Sequence, residues 1–356
     1  FAAALMERFT VRKVVMSALS LVAASATSTI FMTQPWHLWA LWGIGVGVGA
    51  GSMALVFAAT IANRWFVARK GIVVGALTAA TASGQLVFLP MLSHFAINYG
   101  WKSVSLTVGA AAALVIPFIY FFLKEKPELL GMAPYGAPDN WQPPAPNELS
   151  AGRIAIDTLR VSSKSKDFWI LFGTFLVCGL STNGLIGTHF IPAAHDHGMA
   201  GTVAAGLLAL IGVFDVIGTL FSGYLTDRMD PRKLLFFYYG LRGLSLFLLP
   251  SILFSTLHPS TLVFIIFYGL DWVATVPPTL VLCRMVMGNQ RSAVVYGWVF
   301  VGHQVGASIA ALGAAVLRVK LGDYALAFYI SAAMCLVAAF AVLHIAKGKT
   351  AAELRG

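Results

Sequence analysis

Long apolar stretches, each followed by a short charged or polar run, recur about every 30 residues along the chain. A helix rises about 1.5 Å per residue, so about 20 apolar residues cross the ~30 Å hydrocarbon core of a bilayer. We therefore predict an all-α fold, a polytopic membrane helical bundle. Its ten complete spans are expected near residues 14–32, 38–62, 71–93, 103–123, 169–193, 203–225, 234–256, 261–283, 293–317 and 324–346.

The composition agrees with a chain dissolved in lipid. Hydrophobic residues make up 58% of the 356 residues and charged residues 11%, whereas soluble domains carry about 25% charged residues. The formal charge of +10 does not indicate a nucleic-acid partner, because the basic residues sit in short loops and form no continuous stripe.

The basic residues instead predict the orientation. If the ten spans alternate across the membrane, twenty Lys and Arg residues fall on one side, and only Lys102, Arg318 and Lys320 fall on the other. The positive-inside rule assigns the basic side to the cytoplasm. We expect an integral protein of the plasma (inner) membrane with a cytoplasmic C-terminus. Its expected parts are an N-terminal half (1–123), a proline-rich cytoplasmic linker (124–168), a C-terminal half (169–346) and a tail (347–356).

The two halves share a pattern of charged residues and glycines, which predicts pseudo-symmetric repeats. One set recurs 220 positions later: Glu7, Arg8, Arg12 and Lys13 as Asp227, Arg228, Arg232 and Lys233. A second set recurs 222 positions later: Arg69, Gly75, Gly84 and Gly100 as Arg291, Gly297, Gly306 and Gly322.

The run from Gly223 to Lys233, GYLTDRMDPRK, resembles the loop signature G-x-L-x-D-R-x-G-x-R-x of the major facilitator superfamily. The first-half copy has Ala3 for the glycine and Glu7 for the aspartate. The resemblance implies two six-helix halves with spans three to twelve visible, so we expect the chain to start at the tail of span two. It also implies a cytoplasmic gating latch, unless these charges only set topology. The latch residues are Gly223, Asp227, Arg228, Arg232, Lys233, Glu7, Arg8, Arg12 and Lys13.

A narrower resemblance points to one branch of that superfamily. The stretch from Asn63 to Gly71, NRWFVARKG, is similar to the one before span five in monocarboxylate-transporter-like and oxalate/formate-antiporter-like members. Asp215 resembles the acidic site of the monocarboxylate carriers in span eight, but Thr219 stands where their arginine is expected. His303 falls where oxalate/formate-type antiporters place a lysine.

Four ionisable residues are predicted near the midplane, where an unpaired charge costs several kcal/mol. Counted from the cytoplasmic ends, Arg242 lies ~12 Å deep, Asp215 and His303 ~15 Å, and Asp271 ~18 Å. We predict a structural ion pair between Asp215 and Arg242, with Asp215 as a proton site the alternative. The predicted substrate and proton site is His303 and Asp271, with interhelical hydrogen bonding as the alternative. Its expected lining residues are Asn183, Gln85, Gln304, Tyr268 and Trp272.

Prolines, glycines and cysteines within the predicted spans give three further local predictions. Pro277 and Pro278 should break the hydrogen-bond ladder of span ten and kink it. Gly43, Gly47 and Gly51 are spaced for close helix packing. We expect no cofactor and no metal site. The three cysteines, Cys178, Cys283 and Cys335, lie in apolar runs without zinc-type spacing.

These observations favour a secondary active transporter of a small solute, such as an organic anion, working by alternating access with proton coupling. The alternative is a non-transporting membrane sensor on a transporter scaffold. An enzyme is not expected, because the sequence lacks H-E-x-x-H, G-x-S-x-G and P-loop motifs. The expected partners are the solute, protons and lipid, and the protein is expected to be a monomer.

Overall fold

The computed structural model describes residues 2–66, 70–138, 151–226, 228–287 and 292–346. Over these residues the chain is helical, and β-type pairing is limited to one isolated bridge between Phe66 and Tyr135. The all-α prediction is confirmed. The helices are α1 Ala2–Phe9, α2 Val11–Ser28, α3 Pro35–Leu38, α4 Gly47–Trp65, α5 Lys70–Tyr99, α6 Trp101–Phe122, α7 Ala151–Ser162, α8 Lys166–Gly179, α9 Gly187–Asp196, α10 Gly201–Thr226, α11 Pro231–Ile252, α12 Pro259–Asp271, α13 Val276–Met287, α14 Ser292–Leu321 and α15 Ala325–Val342. Two π-helical segments, Trp39–Val46 and Leu180–Ile186, join α3 to α4 and α8 to α9.

Within the described residues, eight stretches are long and apolar enough to cross a bilayer. They are Val11–Phe31, Trp101–Phe122, Lys166–Asp196, Gly201–Thr226, Pro231–Ile252, Pro259–Val286, Val294–Leu321 and Ala325–Val342. Each coincides with a predicted span. The predicted spans 38–62 and 71–93 fall on helical segments, and as membrane spans they stay predictions.

Large apolar side chains cover much of the surface. On α6, Phe118, Phe121 and Phe122 are 63%, 65% and 76% exposed. Such continuous apolar surface is unfavourable in water and is stable against lipid tails. The protein is therefore an integral membrane protein.

The described chain forms two compact units. The first comprises residues 1–81 and 91–155, and the second comprises 82–90 and 156–356. The predicted boundaries at 123 and 168 stay predictions, since part of the linker (139–150) and the tail (347–356) lie outside the described residues.

In the first unit, α2 packs against α4 and α6. The glycine face predicted from Gly43, Gly47 and Gly51 is wrong, because a Cβ at Gly43 or Gly51 would meet no atom of the described residues within 4 Å. Gly45 and Gly49 pack closely on α2 instead: an added Cβ would be 2.0 Å from Ser25 Oγ at Gly45 and 2.6 Å from Val22 Cγ2 at Gly49. The π-helical segment Trp39–Val46 turns more slowly than an α-helix, so it changes which residues face α2.

The repeat seen in the sequence has counterparts in the structure. Helix α5 has 30 residues and is followed by Gly100 and α6, and α14 has 30 residues and is followed by Gly322 and α15. Both glycines have left-handed φ angles, 77° and 89°, which favour glycine. In the first unit α2 packs on α6, and in the second α11 packs on α15. These pairs stand at matching positions of the two repeats.

Close backbone packing holds the second unit together. Gly306 on α14 lies against α8, where an added Cβ would be 1.9 Å from Leu176 O. Gly218 on α10 lies against α12, where an added Cβ would be 1.9 Å from Leu270 O. Small residues that let helix backbones approach are a common device for helix association in lipid. These contacts fix the depths of α8 and α14, and of α10 and α12, relative to each other, and so position the buried Asp271 on α12 and His303 on α14.

Candidate functional site

The span predicted at 261–283 is broken between α12, which ends at Asp271, and α13, which begins at Val276. Pro277 and Pro278 lack the N–H groups that would bond to the carbonyls of Val273 and Ala274 in a continuous helix. Those carbonyls find other donors: Val273 O accepts from Val276 N at 2.8 Å, and Ala274 O accepts from Ser222 Oγ at 2.5 Å. The predicted break is confirmed, one turn before the prolines.

Arg242 on α11 donates to two further backbone carbonyls at the break, those of Asp271 and Trp272. Its Nη2 donates to Asp271 O at 2.5 Å and to Trp272 O at 3.2 Å, and its Nε donates to Asp271 Oδ2 at 2.6 Å. Nη1 donates to Cys178 Sγ at 3.2 Å and to Ser181 Oγ at 3.4 Å. A guanidinium has five N–H donors, so all of them are used although the residue is only 1% exposed.

The predicted ion pair between Asp215 and Arg242 is wrong. Arg242 pairs with Asp271. Asp215 Oδ1 accepts from the Val273 amide and from Thr219 Oγ1, both at 3.0 Å. The residue four positions after Asp215 thus supplies a hydroxyl, not a guanidinium, and the helix break supplies an amide. Asp215 is stabilised by these neutral donors, while the carbonyls exposed by the break attract the arginine.

Cys178 on α8 lies between the buried pair and α14. Its sulfur accepts from Arg242 and lies 3.3 Å from Thr275 Oγ1, and the next residue, Gly179, packs on the His303 backbone, where an added Cβ would be 1.9 Å from His303 O. Sequence reasoning missed this cysteine because thiols are common in apolar cores. A signal was available in the polar run of Ser181, Thr182 and Asn183 that follows it.

The His303 side chain is packed among rings. Its ring stacks on Phe300 with centroids 5.3 Å apart and planes 8° apart, and lies 5.2 Å from Phe175. Its Nδ1 is 3.1 Å from Gln304 Oε1. His303 is buried, whereas Gln304 is exposed. These two residues therefore link a buried polar cluster to the surface of the second unit; the cluster consists of Arg242, Asp271, Asp215, Cys178 and His303.

The predicted lining residues of the substrate site differ in how deeply they are buried. Tyr268 and Trp272 are buried; the Tyr268 hydroxyl donates to Ser181 O at 2.8 Å, and Trp272 contributes its carbonyl to Arg242. Asn183 is exposed within the π-helical segment Leu180–Ile186. The Gln85 side chain lies outside the described residues. Contact of these residues with a substrate stays a prediction.

One carboxylate oxygen of the cluster has no donor among the described residues. Asp271 Oδ2 bonds to Arg242, but Asp271 Oδ1 is buried and none of the described residues donates to it. A buried polar atom normally has a partner. This oxygen is therefore a place where a proton can add. Among the described residues, no group of three or more His, Cys, Asp or Glu side chains is arranged to hold a metal ion.

Comparison with known proteins decides the family. A sequence model described as Major Facilitator Superfamily matches residues 1–311 of the chain. The chain belongs to the major facilitator superfamily.

Two relatives within the superfamily illustrate the match. The uncharacterized MFS-type transporter YcxA of Bacillus subtilis is 26% identical over 293 residues, covering 77% of this chain and 64% of the relative. Monocarboxylate transporter 12-B of Danio rerio is 26% identical over 324 residues, covering 85% of this chain and 66% of the relative. The chain thus spans a little under two thirds of the length of these relatives.

Solved superfamily structures show the same fold. A D-xylose–proton symporter has a TM-score of 0.67 and 16% identity, covering 98% of this chain and 84% of that protein. A bacterial homolog of the human lysosomal transporter Spinster has a TM-score of 0.64 and 15% identity, covering 97% and 86%.

The superfamily's loop signature in the second unit is described except for Asp227. Arg228 lies over the Tyr224 ring, 3.7 Å from its centroid. Arg232 pairs with Asp230 at 2.5 Å and donates to Ile345 O at 3.1 Å, after the end of α15. Lys233 lies in the first turn of α11, and the latch function stays a prediction.

The first copy of the signature lies beside an acid that sequence reasoning missed. The side chains of Glu7 and Arg8 lie outside the described residues, and Arg12 lies 5.6 Å from the Tyr120 ring. Glu125 forms an ion pair with Arg64 and accepts from the Val11 amide at 2.9 Å. A carboxylate is stabilised at a helix N-terminus, so Glu125 ties the chain after α6 to the start of α2 and the end of α4. The backbone amide of Lys13 donates to Thr10 Oγ1 at 3.4 Å.

Proposed function

We propose that the protein is a secondary active transporter of a small organic anion, such as a carboxylate, coupled to protons and working by alternating access. Superfamily membership and the similarity to monocarboxylate transporter 12-B of Danio rerio support the transport class. The observation that carries the proposal is the buried Arg242–Asp271 pair at the break between α12 and α13. The proposal involves no enzymatic reaction.

The charge balance of this pair supports an anion. Arg242 is always protonated and is buried, so it needs one negative charge nearby. Asp271 supplies that charge in the structure. A substrate carboxylate can supply it instead, but both together would leave one negative charge unbalanced in an environment of low dielectric. Binding of the anion therefore favours protonation of Asp271.

The structure offers a position for that proton. In the part of the chain that the structure describes, no group donates to Asp271 Oδ1, so this oxygen can accept a proton while Oδ2 keeps its contact with Arg242. His303 is a further titratable group of the cluster, and its backbone packs against Gly179, the residue after Cys178. We propose that one proton and one anion bind together, which makes the transport step electroneutral.

Uptake into proteoliposomes tests the transport class. Full-length protein is reconstituted, and uptake of a panel of labelled monocarboxylates from acetate to benzoate is compared with binding measured in detergent. Lactate and lactamide serve as a matched pair, because they differ in charge but share a skeleton. Time-dependent accumulation of an acid, and none of its amide, is expected. Binding without accumulation would instead identify a sensor.

We further propose a monomer in the plasma (inner) membrane with its basic loops and C-terminus in the cytoplasm. The bias of twenty basic residues against three supports this orientation. Lysine labelling in intact cells with an impermeant reagent is expected to modify Lys102, at the start of α6, and not Lys124, after its end. Labelling of both residues or only of Lys124 would contradict the orientation.

A further inference from the structure

The five hydrogen bonds of Arg242 are unequal. Nε and Nη2 donate to a carboxylate oxygen and two peptide carbonyls at 2.5 to 3.2 Å. Nη1 donates to a thiol sulfur and a hydroxyl oxygen at 3.2 and 3.4 Å. Thiols are weak acceptors, and neither group carries a charge in its ordinary form. The Nη1 edge is therefore the part of the guanidinium that a stronger acceptor can most easily take over.

Both weak acceptors lie on one short stretch of the chain. Cys178 is in the last turn of α8, and Ser181 is in the π-helical segment Leu180–Ile186. The Ser181 hydroxyl also donates to Cys178 O at 3.0 Å, so the two positions are linked. Asn183, two residues further on, is exposed. The π-helical stretch that covers Nη1 thus has a buried side and an exposed side, and π-helical turns occur often at functional sites.

We propose that Cys178 and Ser181 are neutral place-holders on Arg242, and that the carboxylate of a substrate displaces them from Nη1 when it binds. This inference rests on the proposed function as an anion transporter. A carboxylate offers charged acceptors, which form hydrogen bonds about twice as strong as neutral ones. Arg242 then keeps its contacts with the broken helix through Nε and Nη2, while Nη1 binds the substrate. A neutral amide offers no charge and does not displace the place-holders.

The place-holder role predicts an unusual pair of effects for Cys178→Ala. In the empty protein the substitution leaves a buried N–H without its acceptor, so the melting temperature falls. In the occupied protein the substrate supplies the acceptor, so that penalty is absent. The variant therefore binds the anion roughly fivefold more tightly than wild type, the factor expected for one lost hydrogen bond. Added anion raises its melting temperature more than it raises that of wild type.

The test compares KM for proteoliposome uptake and ligand-induced melting shifts in full-length wild type, Cys178→Ala and Cys283→Ala. The ligand is the monocarboxylate of the acetate-to-benzoate panel that wild type takes up with the lowest KM. Cys283 is the matched control, since it is a fully buried thiol on α13 and is not an acceptor of Arg242. Ser181→Ala removes the second place-holder and is used if Cys178→Ala does not fold, with the same sign expected.

Tighter uptake in Cys178→Ala with no change in Cys283→Ala supports the inference. An unchanged or raised KM, with a lowered melting temperature, would show that Cys178 only stabilises the fold, and would overturn it while wild-type uptake still upholds the transport function. If wild type neither binds nor takes up any acid of the panel, the proposed function fails, and this inference fails with it.

Discussion

Removing the guanidinium of Arg242 should destabilise the protein strongly, and the loss should depend on Asp271. In Arg242→Met the Asp271 carboxylate stays buried without its counter-charge, and the carbonyls of Asp271 and Trp272 lose their donor. Breaking a buried ion pair by removing one partner costs about 3–5 kcal/mol. We therefore expect the free energy of unfolding to fall by at least ~3 kcal/mol.

The double variant Arg242→Met/Asp271→Leu removes both charges and should regain much of this loss. Replacing a whole buried pair by apolar side chains is often close to neutral. Full recovery is not expected, because the two carbonyls of the break stay without Arg242, and an unsatisfied buried acceptor costs about 1–3 kcal/mol. The coupling energy between positions 242 and 271 should be roughly 2–3 kcal/mol.

Asp215→Leu is the matched control, since Asp215 is a second carboxylate of the cluster but is held by Val273 N and Thr219 Oγ1. Its coupling with Arg242→Met should stay below about 1 kcal/mol. The assay is reversible unfolding of purified protein in mixed micelles titrated with SDS, followed by tryptophan fluorescence. A coupling of Arg242 with Asp215 equal to or larger than that with Asp271 would refute the assignment of the pair.

Two further predictions follow from packing and from charge. Gly218→Ala should destabilise the protein by roughly 1–3 kcal/mol, because the new Cβ would be 1.9 Å from Leu270 O. Gly206→Ala on the same helix is the control: its Cβ would meet no atom of the described residues within 4 Å, so it should be neutral or stabilising. Equal losses of stability in the SDS titration would contradict this packing. The hydrogen bond from Arg232 holds the pKa of Asp230 below its usual range. A depressed pKa in the folded state adds stability above the ordinary pKa of about 4, and that stability is lost as the pH falls through the folded value. The small loss in melting temperature of Asp230→Asn should therefore be present at pH 7 and vanish in strong acid, and a loss that grows toward low pH would argue against the pair.

The sequence correctly predicted those features of the fold that depend only on the position of a residue along its helix. Hydrophobic length predicts spans, and Pro277 and Pro278 predict a break, because both follow from local chain chemistry. Ion-pair partners also depend on the direction in which each side chain leaves its helix, which depth does not give. Arg242, Asp215 and Asp271 lie at similar depths, so depth alone favoured the wrong acid.

Two other features depended on tertiary structure. The π-helical segment Trp39–Val46 changed which glycines face α2, and such a segment has no strong sequence signal. Cys178 looks like an ordinary apolar residue until α8 packs on α11 and α14, which places it against Arg242 and near His303. Its importance follows from its neighbours, and those come from distant parts of the chain.

The central claim is that Arg242 needs one negative charge and receives it in turn from Asp271 and from the substrate. The most direct measurement uses Asp271→Asn, which imitates the protonated acid permanently, in proteoliposomes loaded with the monocarboxylate that wild type takes up best. The account predicts that exchange of labelled for unlabelled anion persists, while acceleration of net uptake by an inward proton gradient is lost. An undiminished response to the proton gradient in this variant would contradict the claim.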